Sequence, residues 1–159
     1  MGHMGHHLLM DVLDREILRH LQDDGRLTNV ELAERVRLSP SPCLRRVRAL
    51  ERAGVIRGYH ADIDPAAVGR GFEVTVHVEL TLKDRATVEA FEVGIAAFHE
   101  VVECRRMFGL PDYVVRVAVA DQAAYEAFYM NKLAELPGLA RVNSQFTMKM
   151  VKSGGALRV

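Results

Sequence analysis

The stretch Leu38-Ser39-Pro40-Ser41-Pro42-Cys43-Leu44-Arg45-Arg46-Val47-Arg48-Ala49-Leu50-Glu51-Arg52-Ala53-Gly54 constrains the fold of this chain more than any other. Ser39 suits a helix N-cap, because its hydroxyl can accept from the free N–H groups of a first turn. Pro40 at the first helical position loses only an N–H that has no partner there, and Pro42 is still within that turn. Leu44, Val47 and Leu50 recur at helical spacing as one apolar stripe. Arg45, Arg46, Arg48 and Arg52 fill the rest of the circumference, and Gly54 supplies the stop. Such a helix is either a solvated surface element or a reader of nucleic acid. What precedes it decides between the two.

Leu13, Ile17, Leu18 and Leu21 predict a first helix, with Asp11 or Asp14 at its start and Gly25 at its end. Thr28-Asn29-Val30-Glu31 matches a capping box, in which the Thr28 hydroxyl and the Glu31 carboxylate each satisfy an orphan N–H. Leu32, Ala33 and Val36 carry this second helix onward, and only Arg37 and Leu38 separate it from the arginine-rich one. Two short helices joined this tightly predict a helix-turn-helix, whose second helix enters the major groove.

Charge distribution agrees, although the formal net charge is zero. Between Arg35 and Gly58 stand seven arginines (35, 37, 45, 46, 48, 52 and 57) against the single acid Glu51. From Gly71 to Lys152 there are nine Lys/Arg and eleven Asp/Glu, so the basic footprint of a DNA-binding module is confined to one segment. No run of some twenty apolar residues predicts a membrane span, and no signal-type N-terminus predicts export. Cys43 and Cys104, without metal-site spacing, are expected as small buried or half-buried side chains in a reducing cytoplasm. Met1 to His7 reads as an expression tag, with a histidine metal site as the alternative; no metal or cofactor is expected elsewhere. His77 and His99 stand alone and are expected as surface or interface residues.

After Gly54, Val55 to Ile63 has a strand-like pattern, broken by Asp64-Pro65, and Gly69-Arg70-Gly71 marks a boundary. Phe72, Val74, Val76, Val78, Leu80 and Leu82 then alternate with polar residues, the period of a half-buried strand. Val88, Phe91, Ile95 and Phe98 return to helical spacing. Val101–Phe108 and Tyr113–Ala120 read as strands joined by the turn Gly109-Leu110-Pro111-Asp112. Asp121 caps a helix bearing Ala124, Tyr125, Phe128 and Leu133, ended by Pro137-Gly138, and Val142, Ser144, Phe146, Met148 and Met150 alternate along a last strand. The order β-α-β-β-α-β is that of the ferredoxin-like fold. The expected class is α+β: a tag or disordered N-terminus (1–10), a helix-turn-helix, winged-helix-like, domain (11–57), a hinge strand (58–70), a ferredoxin-like effector-binding and oligomerisation domain (71–152) and a tail (153–159). One face of its sheet, carrying Glu73, Thr75, His77, Glu79, Gln145 and Thr147, has nothing in the chain to cover it. It is either solvated or the surface on which a second copy sits.

These residues resemble the Lrp/AsnC family, the feast/famine transcriptional regulators, from Leu13 to Lys152. The resemblance is carried by Leu13-Asp14 with Ile17-Leu18, by Asp24-Gly25-Arg26, by Glu31-Leu32-Ala33, by Leu38-Ser39 through Gly54-Val55-Ile56, by Gly58-Tyr59, and by Gly109 with Asp112-Tyr113. It implies a DNA-binding helix-turn-helix, a ligand-sensing second domain, a dimer built through the sheets and assembled into tetramers or octamers, and a free amino acid bound between dimers beside the glycine hairpin.

Candidate DNA contacts are Ser39, Ser41, Arg45, Arg46 and Arg48, since arginine makes bidentate bonds to guanine or pairs with phosphate. Thr28 and Asn29, at a helix start, fit phosphate contacts or serve as caps alone. Gly109, Leu110, Asp112 and Tyr113, with Ser144 and Gln145, are the candidate effector residues that the resemblance marks. Leu110-Pro111 departs from it, because relatives often carry an acidic or polar residue after the glycine. A more apolar effector, or none, is then open. The expected function is a cytoplasmic, nucleoid-associated regulator that binds double-stranded DNA as a homo-oligomer and responds to an amino acid. Its alternatives are an amino-acid-sensing module acting through protein contacts and an enzyme on a ferredoxin-like fold. No nucleophile–base pair, phosphate loop or metal constellation supports the last.

Overall fold

The computed structural model describes residues 10–152; the histidine-rich start and the tail from Ser153 lie outside the described residues. The chain divides into two compact units, one up to Asp62 with Lys152 and the other Ile63–Val151. No helix among the described residues is long and apolar enough to cross a membrane.

The first unit holds three helices, α1 (Val12–Asp23), α2 (Asn29–Arg35) and α3 (Pro40–Arg52). Asp11 caps α1 and exchanges a capping box with Asp14, and Thr28 caps α2 in the same way with Glu31. The α2–α3 connection is tight because Arg37 takes a left-handed conformation (φ 54°), which lets the Leu38 N–H donate back to the Ala33 carbonyl. Ser39 occupies the N-cap position of α3, but its hydroxyl makes no capping bond, contrary to expectation; Pro40 and Pro42 leave fewer first-turn N–H groups to satisfy. Ile17, Leu18, Leu32, Ala33, Val36, Cys43 and Leu50 form the core, with Leu21, Leu38, Val47 and Ile56 packed against it. The buried stripe of α3 is therefore Cys43, Val47 and Leu50. Of the expected stripe Val47 and Leu50 pack inward, while Leu44 sits at its exposed edge and Cys43 takes its place.

The expected strand at Val55–Ile63 does not form. A strand needs a neighbour to take its N–H and C=O groups, and this unit offers none among the described residues. Instead Gly58 turns the backbone (φ 157°), and the Tyr59 hydroxyl donates to Glu51 at 3.0 Å, folding the segment back on the end of α3. Farther on, Pro65 to Arg70 is a turn closed by the Arg70 N–H on the Pro65 carbonyl at 2.7 Å.

The second unit runs β1 (Phe72–Leu80), α4 (Arg85–Ala96), β2 (Val101–Arg106), β3 (Tyr113–Val119), α5 (Gln122–Asn131), a single 3-10 turn (Leu133–Glu135) and β4 (Leu139–Phe146). The strands lie in the order β2-β3-β1-β4, all neighbours antiparallel, the ferredoxin-like arrangement. Val74, Val76, Val78 and Leu80 of β1, with Val115 and Val117 of β3, meet Val88, Phe91 and Ile95 of α4 and Tyr125 and Phe128 of α5 in one core. Asp84 caps α4 through the Thr87 N–H, and Asp121 caps α5 through the Ala124 N–H. Two ends differ from expectation. Leu82 lies beyond β1 and is exposed, and β4 stops at Phe146, so that Met148 is fully exposed. The reason is shared: beyond Phe72 and Leu80 the central strand that β4 pairs with has ended. Of the two cysteines, Cys43 is buried as expected, whereas Cys104 is exposed.

The opposite face of the sheet carries Thr75, paired with Arg116 and Gln145, and His77, paired with Val114 and Asn143. Arg116 lies 4.0 Å from Glu73 and 3.8 Å from Glu103 there. Among the described residues no helix packs on this face, where Arg116, Asn143 and Gln145 are exposed.

Candidate nucleic-acid interface and effector hairpin

Along α3, positions 41, 45, 48 and 52 follow one another by four, three and four residues and so share a face. Ser41, Arg45, Arg48 and Arg52 are all exposed, opposite the stripe that packs into the core. None of the three arginines pairs with an acid among the described residues, so their guanidinium donors are open to phosphate or to base edges. Ser39, exposed and free of a capping bond, flanks the same helix start.

Arg46 is placed differently. It falls three residues after Cys43 and four before Leu50, on the packed side of α3. Its Nη1 stands 2.8 Å from Asp14 Oδ1 and 2.8 Å from Asp11 Oδ2. The bond to Asp14, and then that to Asp11, pushes the Arg46 pKa up; Asp11 is held below the usual carboxylate range by the Asp14 N–H and by Arg46. Nη1 is thus engaged within the unit and makes Arg46 an internal tie between α1 and α3, unlike Arg45 and Arg48, which have no acid partner among the described residues.

Asn29 and Thr28 are likewise engaged. Asn29 Nδ2 donates to the Pro40 carbonyl at 2.8 Å, linking the start of α2 to the start of α3, while its buried Oδ1 has no partner among the described residues. The Thr28 hydroxyl donates to Glu31 Oε2 at 2.7 Å and accepts from the Glu31 N–H at 3.3 Å. Both residues serve as cap and buckle.

In the second unit the turn between β2 and β3 contains Gly109 at φ 112°, a conformation that only glycine adopts without strain, and a cis Leu110–Pro111 bond. A Cβ on Gly109 would meet nothing within 4 Å, so the backbone angle, not crowding, calls for glycine. Phe108 is fully exposed and Leu110 is exposed at the turn. A recess of about 230 Å³ beside it is lined by Leu80, Lys83, Arg106, Gly109, Asp112 and Tyr113.

Asp112 and Tyr113 are built into the scaffold of that recess. Asp112 is buried; Oδ2 accepts the Leu80 N–H at 2.9 Å and Oδ1 pairs with Lys83 Nζ at 2.7 Å. Lys83 first, and the Leu80 N–H second, hold its carboxyl below the usual range. Tyr113 is 1% exposed, stacks on Phe91 with centroids 4.6 Å apart and donates its hydroxyl to Glu92 at 2.8 Å. Burial, and then that bond, pushes its pKa up to about 12. Both side chains are engaged within the scaffold, and at the rim stand Lys83, paired with Asp112, and Arg106, 3.6 Å from Glu92.

Ser144 and Gln145 do not belong together. Adjacent strand residues face opposite ways: Ser144 Oγ lies 2.6 Å from the Tyr125 hydroxyl on the helix side, whereas Gln145 is exposed beside Thr75 on the open face. Ser144 borders a separate recess of about 450 Å³ with His77, Glu79, Pro111, Arg141 and Asn143. Lys83 and Arg106 were missed from sequence because nothing in the local pattern brings them to residue 112. The i, i+2 alternation could have separated Ser144 from Gln145.

Replacing Asp112 with alanine should leave the buried Leu80 N–H without an acceptor, a loss of about 1–3 kcal/mol. Because the folded-state pKa of Asp112 is depressed, its contribution is complete above the unfolded value near ~3.9 and is lost as pH falls through the folded pKa. Thermal melts from pH 7 to pH 3 should show the native protein losing stability in acid and the Asp112→Ala variant losing less. Equal acid slopes would contradict this assignment.

A helix-turn-helix with an exposed arginine face, followed by a four-stranded ferredoxin-like unit, is the architecture of a two-domain DNA-binding regulator. Comparison with known proteins agrees. Residues 10–57 match the winged helix-turn-helix DNA-binding model and residues 73–157 the Lrp/AsnC ligand binding domain. The leucine-responsive regulatory protein of Escherichia coli K12 is 38% identical over 93% of this chain and 90% of its own length. That of Rhizobium meliloti is 40% identical over 90% and 92%. Among solved structures, the transcriptional regulator NMB0573 of Neisseria meningitidis in its L-Met complex superposes with a TM-score of 0.88 at 38% identity, covering 93% of this chain and 96% of that one. An AsnC family regulator from Agrobacterium tumefaciens gives 0.87 at 40% identity, covering 93% and 96%. The chain belongs to the Lrp/AsnC family of DNA-binding transcriptional regulators. Its relatives are regulators, and on that ground it is one too and not an enzyme.

Proposed function

We propose that this regulator binds double-stranded DNA in the nucleoid through Ser39, Ser41, Arg45 and Arg48, with Arg52 continuing the stripe, and that a free amino acid modulates it. The observation that carries the reading is the exposed, unpaired arginine face of α3, opposite its packed face. Two copies associate through the uncovered sheet face, whose mixed Glu73, Arg116 and Glu103 charges suit a two-fold partner carrying the same set. Such a pair presents two copies of α3 to two half-sites. Assembly into tetramers or octamers follows the family pattern.

The effector is an amino acid held at the hairpin turn. The L-Met complex of the Neisseria relative supports that class of ligand. Here Lys83 and Arg106, paired with Asp112 and Glu92, keep further N–H donors for its carboxylate, and Met107, Phe108 and Leu110 offer apolar surface for its side chain. This favours an apolar amino acid over a charged one. Calorimetric titration of the full chain with each of the twenty amino acids tests the reading: an apolar one should bind, and binding by none would remove the effector.

A further inference from the structure

Arg46 and the two acids it meets form a closed network at the junction of α1 and α3. Asp11 Oδ1 accepts the Asp14 N–H at 2.9 Å, and Asp14 Oδ2 accepts the Asp11 N–H at 3.2 Å. Arg46 bridges the remaining oxygens, Asp14 Oδ1 and Asp11 Oδ2. The capping box of one helix is thus the receptor for a guanidinium from another. One guanidinium held by two carboxylates resists rotation of α3 about its axis, since turning the helix lengthens at least one bond. A second tie, Asn29 Nδ2 on the Pro40 carbonyl, fixes the first turn of α3.

We propose that Asp11, Asp14 and Arg46 are positioning residues for DNA recognition: they set the rotation at which Arg45 and Arg48 meet the groove and touch no DNA themselves. The inference rests on α3 being the reading helix. Its sign distinguishes it from a structural or electrostatic role. Asp11→Asn and Asp14→Asn each remove a negative charge from a DNA-binding unit, so charge alone makes both variants bind more tightly. Loss of positioning makes them discriminate less.

The test uses the full chain, a duplex enriched from a random library by this protein, and a mixed-sequence duplex of equal length, followed by fluorescence anisotropy over a salt series. For Asp11→Asn, Asp14→Asn and Arg46→Gln, the enriched-over-mixed affinity ratio should fall about tenfold, while the salt slope on the mixed duplex stays as in the native protein. Combining Asp14→Asn with Arg46→Gln should cost no more than either alone, because both break one network. Arg46→Lys, which keeps a cation between the acids, should recover part of the ratio. The inference is overturned if Arg46→Gln lowers the slope by about 0.9, the loss of one phosphate contact, or if the Asp variants keep the native enriched-over-mixed ratio, whatever their absolute affinity. Should Asp14→Asn fail to fold by circular dichroism, Asp11→Asn, at an exposed residue, carries the test. If Arg45→Ala and Arg48→Ala leave affinity unchanged, the reading helix itself is misassigned, a result separable from every outcome above.

Discussion

Replacing Arg45 and Arg48 together with alanine should weaken binding to an enriched duplex by roughly 100-fold or more, with the helix content and melting curve of the protein unchanged. Both side chains are exposed, lie on the face of α3 opposite Cys43 and Leu50, and are unpaired within the described residues. Their removal exposes no cavity and strands no acid, so the fold has no reason to respond. The cost falls on the complex. Each good bidentate pair to a base is worth about 1–3 kcal/mol, and two such losses multiply. If one arginine instead holds a phosphate, the salt slope should drop by about 0.9, and discrimination between sequences should survive better than affinity. Anisotropy titrations at several salt concentrations separate the two. Affinity and slope both equal to native would remove α3 from the interface.

Phe91→Ala should be the most damaging single change in the second unit, costing about 3–5 kcal/mol. Phe91 is fully buried, sits at the middle of α4 and packs its ring on Tyr113. Its loss leaves a void under β1 and β3 and frees the ring that anchors the hairpin's first residue after Asp112. For a unit of this size, each kcal/mol moves the melting point by roughly 4–8 °C, so the transition should fall by more than about 10 °C. Effector binding should weaken with it, because Tyr113 and Asp112 shape the recess. A shift of under a few degrees would mean that the core closes around the gap.

The elements were legible wherever one period ran long enough. β1 announces itself by alternation, and Asp11, Thr28 and Asp121 cap their helices through side-chain bonds as their positions suggest. What failed needed a neighbour to decide it. Val55–Ile63 has strand chemistry but no strand to pair with. On α3 the spacing picks out Leu44 with Val47 and Leu50, whereas Cys43 takes the buried place beside them and Leu44 lies at the exposed edge. Arg46 was legible in principle: it shares a helical face with Cys43 and Leu50, as Asp14 does with Ile17 and Leu18. A cation on one buried stripe and an acid on another imply a pair, yet in so basic a helix Arg46 passes for one more surface charge. At the hairpin, Asp112 reaches Leu80 and Lys83, roughly thirty residues away, and no local pattern carries that.

The central claim is that α3 reads DNA sequence and that an amino acid changes how it does so. Selection of the full chain against a random duplex library, with and without the twenty amino acids, tests both halves at once. The account predicts enrichment of a sequence with two related half-sites and a change in its recovery when the amino acids are present. Recovered DNA indistinguishable from the input library in both arms would contradict it.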